Sequence, residues 1–330
     1  MIDLNSPEIK FMLDAVWRSA MLVQRVQAEL VSSSLTKDDR SPVTVADFAS
    51  QSLIGKLLED AFPDDAMVAE EESSALRDPA AAQTLDDVTH FVSLSIPEAD
   101  SQKVCAWIDH NRVDAANRFW TLDPIDGTKG FLRGDQYVVA LALIDEGEVQ
   151  LGALGCPNLL DAHKPDFKGR GSLVIAARGQ GAWSTILSEP GSFAPLHVSE
   201  VDETTRARIL RSFESGHTNV SQIDEFALSL GVQVEPVRMD SQAKYALLAA
   251  GEGELILRLL SPSRPDYREK VWDQAAGSLI LEQSGGRITD LDGKALDFTK
   301  GRRLEDNRGV LASNGLLHET ALRALKEIGA

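Results

Sequence analysis

Apolar residues recur at helical spacing from the start of the chain: Ile9, Leu13, Val16, Ala20, Val23 and Leu30 fall on one face. Ser6-Pro7-Glu8 supplies the helix start, with Ser6 as cap and Pro7 in the first turn. A second helix is predicted from about Thr44, with Leu53, Leu57 and Ala61 on its buried face, ending before Pro63. Strand-like runs follow at 120–122, 137–144 and 149–154. Residues 173–177 and 182–185 read as a hairpin around Arg178-Gly179-Gln180-Gly181. The first half is therefore expected to be an antiparallel sheet with the early helices against it.

After about Pro195 the rhythm changes. Strands are predicted at 209–212, 232–237, 255–259, 287–290 and 310–313, separated by helices at 222–230, 241–250, 272–283 and 316–328. Gly251, Gly285 and Gly286 sit where helix C-caps belong. Such alternation points to a layered α/β second half. The expected division is 1–195 for an α+β domain with the antiparallel sheet and 196–330 for an α/β domain. Residues 65–117 are the least patterned and read as a mobile helical insertion.

Composition narrows the function classes. At 330 residues the chain can bury a large core. No apolar run approaches membrane-spanning length, and Met1-Ile2-Asp3 lacks the basic start of a secretory signal. Cys105 and Cys156 form no Cys-x-x-Cys pair, so reduced thiols in a cytoplasmic setting are expected. A net charge of −18 argues against a broad nucleic-acid or anionic-membrane surface. It leaves room for a small anionic substrate, because a bound cation inverts the local field. A monomer is the expected state.

The chemistry concentrates in Trp120-Thr121-Leu122-Asp123-Pro124-Ile125-Asp126-Gly127-Thr128. An apolar run ends at a carboxylate, Pro124 stops the strand's hydrogen-bond ladder, and a second carboxylate, a glycine and a hydroxyl follow. That layout aims two hard oxygen ligands and the Ile125 carbonyl at one place, as a pair of Mg²⁺ ions would need. Gly127 allows close backbone approach to a ligand, and amides at a following helix start favour a phosphate. Asp126-Gly127 alone would be an ordinary acidic turn.

With its continuation into Lys129-Gly130-Phe131, the string resembles the metal signature of the inositol monophosphatase superfamily of Mg²⁺-dependent, Li⁺-sensitive phosphatases. Lys-Gly-Phe is similar to the 3′(2′),5′-bisphosphate nucleotidase branch. The resemblance extends from Ser41 to Gly286 and implies an α/β/α/β/α sandwich. It makes Glu70, after the apolar run Ala66-Met67-Val68-Ala69, a metal ligand beside Asp123, although the family usually has Gly where Ala69 stands. Val271-Trp272-Asp273-Gln274-Ala275-Ala276-Gly277 resembles the second signature and assigns Asp273 to the second metal, where an isolated acid in a first helical turn would need no metal. Asp47 becomes the partner of the Thr128 hydroxyl in orienting water; without the resemblance it is a helix N-terminal acid beside Thr44.

Substrate choice falls to the second half. Ser241 and Lys244 in Asp240-Ser241-Gln242-Ala243-Lys244-Tyr245 lie one helical turn apart and can reach one anion. Arg258 interrupts an apolar strand, where it is either a solvent-facing edge residue or a paired charge. The resemblance makes Ser241, Lys244 and Arg258 phosphate-binding, adds Thr128 and Asp273 to the substrate contacts, and places His217 at the nucleotide. The implied activity is hydrolysis of adenosine 3′,5′-bisphosphate to AMP and phosphate, with 3′-phosphoadenylyl sulfate as a second substrate and two, or with a weakly held third, three Mg²⁺ ions. The alternatives are an inositol polyphosphate 1-phosphatase and a catalytically silent nucleotide-binding protein. No His-x-x-x-His helix or Gly-x-Ser-x-Gly elbow is present, and Gly55-Lys56 lacks the remaining residues of a P-loop.

Overall fold

The computed structural model describes residues 2–31, 42–165, 169–213 and 219–330, the side chains of Val31, Pro42, Val43 and Val220 excepted. Helix α1 (Pro7–Val26) starts where its cap predicts: the Ser6 hydroxyl accepts from the Ile9 amide, and a π-helical turn (Gln27–Val31) follows. Helix α2 (Pro42–Ala61) packs beside it. Strand β1 (Ala66–Ala69) runs parallel to β2 (Arg118–Asp126), and α3 (Ala82–Ser93) and α4 (Ser101–Ile108) lie between them in sequence. A short helix α5 (Thr128–Arg133) precedes the meander of β3 (Val138–Asp145) and β4 (Glu148–Cys156). A small hairpin, β5 (Leu159–Leu160) and β6 (Lys164–Pro165), leads to β7 (Ser172–Ala177), β8 (Gly181–Ile186) and β9 (Ala194–Pro195). The seven-stranded sheet has the order β1-β2-β3-β4-β7-β8-β9.

Two expectations for this half need correction. The sheet is antiparallel except at its edge, where β1 pairs parallel with β2 because the long excursion through α3 and α4 returns the chain in the same direction. The segment 65–117 is also no loose insertion. Val88, Phe91, Val92, Val104, Trp107 and Ile108 are buried in the first core. There α2 meets α4 so closely that a Cβ on Gly55 would stand 2.0 Å from the Trp107 carbonyl oxygen.

The second half contains α6 (Val220–Ser229), α7 (Ala243–Ala249), α8 (Ala275–Gln283) and α9 (His318–Glu327). Its five-stranded sheet has the order β11 (Val237–Arg238), β10 (Ile209–Arg211), β12 (Leu255–Arg258), β14 (Val310–Ser313), β13 (Arg287–Thr289). The strand expected over 232–237 shrinks to β11, because Gln233 donates its amide to Thr205 in a loop before β10 comes alongside. The helix expected from Trp272 begins at Ala275, after a turn that holds Trp272, Asp273 and Gln274.

The strands are buried on both faces, and alternate residues join different cores, which sorts the molecule into layers. One face of the large sheet, with Trp120, Leu122, Val139 and Leu141, packs on α1 to α4. Its other face, with Phe119, Val138, Ala140 and Ala142, shares a core with α7, α8 and the inner face of the small sheet at Leu210, Ile256 and Ala312. The outer face of that sheet, with Ile209, Leu255, Leu257 and Leu311, is covered by α6 and α9. This is the α/β/α/β/α sandwich, and its middle helical layer belongs to both sheets. Among the described residues no helix is long and apolar enough to cross a membrane. Cys105 and Cys156 are buried and unpaired.

Candidate active site

The site forms where β2 breaks its register. Pairing with β3 is regular to Asp123 and resumes at Asp126, so Pro124 interrupts the ladder without ending the strand. The bulge turns Asp123 and Asp126 toward one cavity, with the Ile125 amide donating to Asp123 Oδ1 at 3.1 Å. Gly127 then reverses the chain at φ +95°, and a Cβ there would stand 2.8 Å from that of Ser241. Only glycine fits both the left-handed backbone and the approach. Glu70 follows β1, its amide donating to the Leu122 carbonyl, so the parallel pair sets Glu70 beside Asp123.

The opposite wall comes from the second half. Ser241 is held at φ +66°, an uncommon backbone for a non-glycine residue, in the turn that opens α7. The Gln242 amide next to it donates to Asp126 Oδ2 at 2.6 Å. The Gln242 side chain donates to the Trp272 carbonyl and accepts from the Gly277 amide, fastening the turn that carries Asp273. Lys244 is buried, its ammonium donating to the Ser212 hydroxyl and to the carbonyls of Met239 and Ser241. Arg258 lies on β12, an interior strand, which removes the solvent-facing edge reading. Its guanidinium forks onto Glu269, with the shorter bond at 2.9 Å. Glu269 also accepts from Gln274, whose oxygen accepts from the Tyr245 hydroxyl.

These groups enclose a cavity of ≈ 460 Å³. Glu70, Asp123, Ile125, Asp126, Thr128, Ser241, Lys244, Arg258 and Asp273 all line it. Its electrostatics are strained in one direction. Burial raises the carboxyl of Asp123 well above the usual range, and Glu70, Asp126, Asp273 and Asp47 raise it further. Burial raises Asp273 in the same way, with Asp126 and Glu269 adding and Arg258 opposing. Burial pushes Glu71 up to about 7 and lowers Lys244 to about 8, with Asp126 partly holding the lysine's proton.

Crowded oxygen acids of this kind suit a hard divalent cation, which would remove their mutual repulsion. Among the described residues, however, no three His, Cys, Asp or Glu side chains converge closely enough to hold an ion as they stand. The donor chemistry fits Mg²⁺; the carboxylates ring the cavity rather than meeting at one point.

One expected residue is not among those lining the cavity, and another lies outside the described residues. Asp47 is buried behind the cavity, where burial, Glu71 and Glu70 raise its carboxyl, and among the described residues no hydrogen bond joins it to Thr128. Thr128 lines the cavity from the start of α5, while Asp47 is carried on α2. His217 lies outside the described residues, as does Ser41 at the head of its motif. Sequence reasoning missed Glu269, Gln242, Tyr245 and Lys270. The signal for Glu269 was available: a buried arginine in a strand demands a carboxylate.

Comparison with known proteins agrees with this architecture. The Inositol monophosphatase family pattern matches residues 5–330. The chain is 38% identical over 336 residues to the 3′(2′),5′-bisphosphate nucleotidase of Schizosaccharomyces pombe, covering 96% of this chain and 94% of that one. It is 40% identical to the nucleotidase of the same name from Oryza sativa, covering 95% and 92%. Among solved structures, the Thermotoga maritima IMPase superposes with a TM-score of 0.63 at 19% identity, covering 98% of each chain. The CysQ protein of Bacteroides thetaiotaomicron gives 0.61 at 18%, covering 93% of this chain and 97% of that one. By sequence and fold, the chain belongs to the inositol monophosphatase family.

Proposed function

We propose that the protein is a 3′(2′),5′-bisphosphate nucleotidase, a phosphoric monoester hydrolase that converts adenosine 3′,5′-bisphosphate to AMP and phosphate. Cleavage of 3′-phosphoadenylyl sulfate to adenylyl sulfate follows as a second activity. The observation that carries this reading is that one cavity is lined both by an acidic oxygen set and by Ser241, Lys244 and Arg258. The first suits a cleaved phosphate with its counter-ions, and the second suits a phosphate that is retained.

Glu70, Asp123 and the Ile125 carbonyl would hold one Mg²⁺ and Asp126 with Asp273 another, a third lying weakly near Glu70. Bound there, the ions supply charge neutralisation at the phosphoryl group and acidify water. The chain's own residues do the rest. Asp47 and Thr128 orient the attacking water and take its proton, which requires their side chains to draw together from the positions described above. Ser241, Lys244 and Arg258 hold the 5′-phosphate, so the 3′-phosphate alone lies against the acids. The water oxygen joins phosphorus, the bond from phosphorus to the 3′-oxygen breaks, and that oxygen takes a proton from solvent to become the ribose hydroxyl while Asp47 returns its proton to solvent.

We place this activity in a monomer in the cytoplasm, consistent with the two unpaired buried thiols. Phosphate release is measured over adenosine 3′,5′-bisphosphate, 3′-phosphoadenylyl sulfate and inositol polyphosphates, with and without Mg²⁺. LiCl is titrated against a KCl control. Mg²⁺-dependent release from the bisphosphate, inhibited by LiCl alone, is expected. Preferential hydrolysis of an inositol polyphosphate would replace the nucleotide reading, and no turnover of any substrate would leave a nucleotide-binding protein.

A further inference from the structure

Four cations line the cavity: Lys129, Lys244, Arg258 and Lys270. Three are engaged. Lys244 is held by a hydroxyl and two carbonyls, Arg258 by Glu269, and Lys129 has a partner of its own. Lys270 differs, because no carboxylate among the described residues pairs with its ammonium. That group stands over the Trp272 indole, 5.4 Å from the ring centroid.

Two like charges stand beside Lys270. The Arg302 guanidinium occupies the same indole, 4.7 Å from its centroid. It is fixed there by donating to the Ala69 carbonyl at 2.9 Å, one residue before Glu70. Arg303 pairs with Lys270 through a backbone bridge and adds a further like charge. The nearest acids to feel Lys270 are Asp273 and Glu70, at the floor of the cavity. In a chain of net charge −18, a lysine at the lip of an acidic cavity with two arginines beside it forms a local exception. Once cations neutralise the acids, this lip is a net positive surface facing the reacting group.

We propose that Lys270 is a phosphoryl-binding residue, its ammonium contacting an oxygen of the phosphate that lies against Glu70 and Asp273 while Trp272 and Arg302 keep it raised toward the cavity. The inference rests on the phosphatase reading above and adds a contact to it: Lys270 serves the cleaved phosphate, whereas Ser241, Lys244 and Arg258 serve the retained one. The competing role is charge balance, in which Lys270 only offsets the acidic floor. The two roles predict opposite results. A lysine that merely balances acids weakens cation binding, so its loss should tighten Mg²⁺ and leave phosphate alone. A lysine that grips phosphate should weaken phosphate binding when lost.

The test is calorimetric titration of the full chain with MgCl2, and then of the Mg²⁺-saturated protein with orthophosphate, for wild type, Lys270→Met and Lys270→Arg. Lys103→Met, an exposed lysine on α4, controls for the loss of one positive charge. Lys270→Met should lower orthophosphate affinity about tenfold, as expected for a lost charged hydrogen bond. Lys270→Arg should retain most of the affinity, and Lys103→Met all of it. Unchanged phosphate affinity in Lys270→Met, with or without tighter Mg²⁺, overturns the proposal, as does a wild type that binds no orthophosphate. None of these titrations needs turnover. A wild type that binds orthophosphate through Lys270 yet cleaves no bisphosphate would remove the nucleotidase reading alone.

Discussion

At the residue scale, Arg258 is tied to Glu269, and this governs how its role can be tested. The sequence presents an arginine inside an apolar strand; the fold supplies the carboxylate from a loop eleven residues later. Arg258→Ala alone would leave the Glu269 carboxylate buried without its ion pair, a loss that costs about 3–5 kcal/mol in buried pairs. The informative variant is therefore Arg258→Met with Glu269→Gln. It should fold more stably than Arg258→Ala and still lose about ten- to a hundredfold in kcat/KM on adenosine 3′,5′-bisphosphate. Adenosine 3′-monophosphate, which lacks the 5′-phosphate, should be a poor substrate that is hardly affected. Equal losses on both substrates would assign Arg258 to the cleaved phosphate or to structure. Much of this site was legible in the chain because its chemistry is local: Asp123, Ile125, Asp126 and Thr128 lie within six consecutive residues. Glu269, Gln242 and Lys270 were not, because each matters through a neighbour that only tertiary packing provides.

At the element scale, regular runs announced themselves and irregular ones did not. Helix α1 and strand β14 agree with their periodicity, whereas α8 starts three residues late because Gln242 captures the Trp272 carbonyl in a turn. The contact of β13 and β14 with α9 carries a pH dependence. His318 is buried at the start of α9, its Nε2 3.0 Å from the Thr289 hydroxyl and its Nδ1 2.8 Å from that of Ser313. Thr289 spends its proton on the Asp290 carbonyl, so Nε2 carries the imidazole hydrogen and Nδ1 accepts from Ser313. Protonation would cost that bond, and burial, with Arg287 adding, lowers the pKa to about 4. Between the ordinary value near 6.5 and about 4, the unfolded chain binds a proton that the folded one refuses. The stabilisation is therefore complete above pH 6.5 and lost as the pH falls toward 4. In urea titrations, His318→Gln should be less stable than wild type at pH 7.5, and the gap should narrow at pH 5. A gap that stays constant would show that His318 does not titrate in this window.

At the scale of the whole molecule, the acids around the cavity make its stability depend on what binds there. Asp123 is surrounded by Glu70, Asp126, Asp273 and Asp47, and the repulsion among them opposes folding. A ligand specific to the folded state stabilises by about 2.7 kcal/mol at a hundred times its Kd. MgCl2 should therefore raise the thermal midpoint well beyond an NaCl control of equal ionic strength. Asp123→Asn should start from a higher midpoint without metal, since one repelling charge is gone, and gain less from MgCl2. The same variant should abolish turnover while circular dichroism shows a native fold. Near-normal turnover would remove Asp123 from the metal set. The layered class of the fold could be read from the change in rhythm near residue 195, yet the interdependence of the two halves could not. The buried helices α7 and α8 give no amphipathic sign of facing two sheets at once.

That shared middle layer has a consequence for how the protein can be divided. A cut near residue 195 leaves one piece with Glu70, Asp123, Asp126 and Thr128 and the other with Ser241, Lys244, Arg258 and Asp273. Neither piece has an active centre, and each exposes an apolar face that only the other covers. That division defines where a split reporter would be cut. Fused to two proteins that bind each other, the pieces would convert that encounter into released phosphate, with the second core as the adhesive and the completed cavity as the signal.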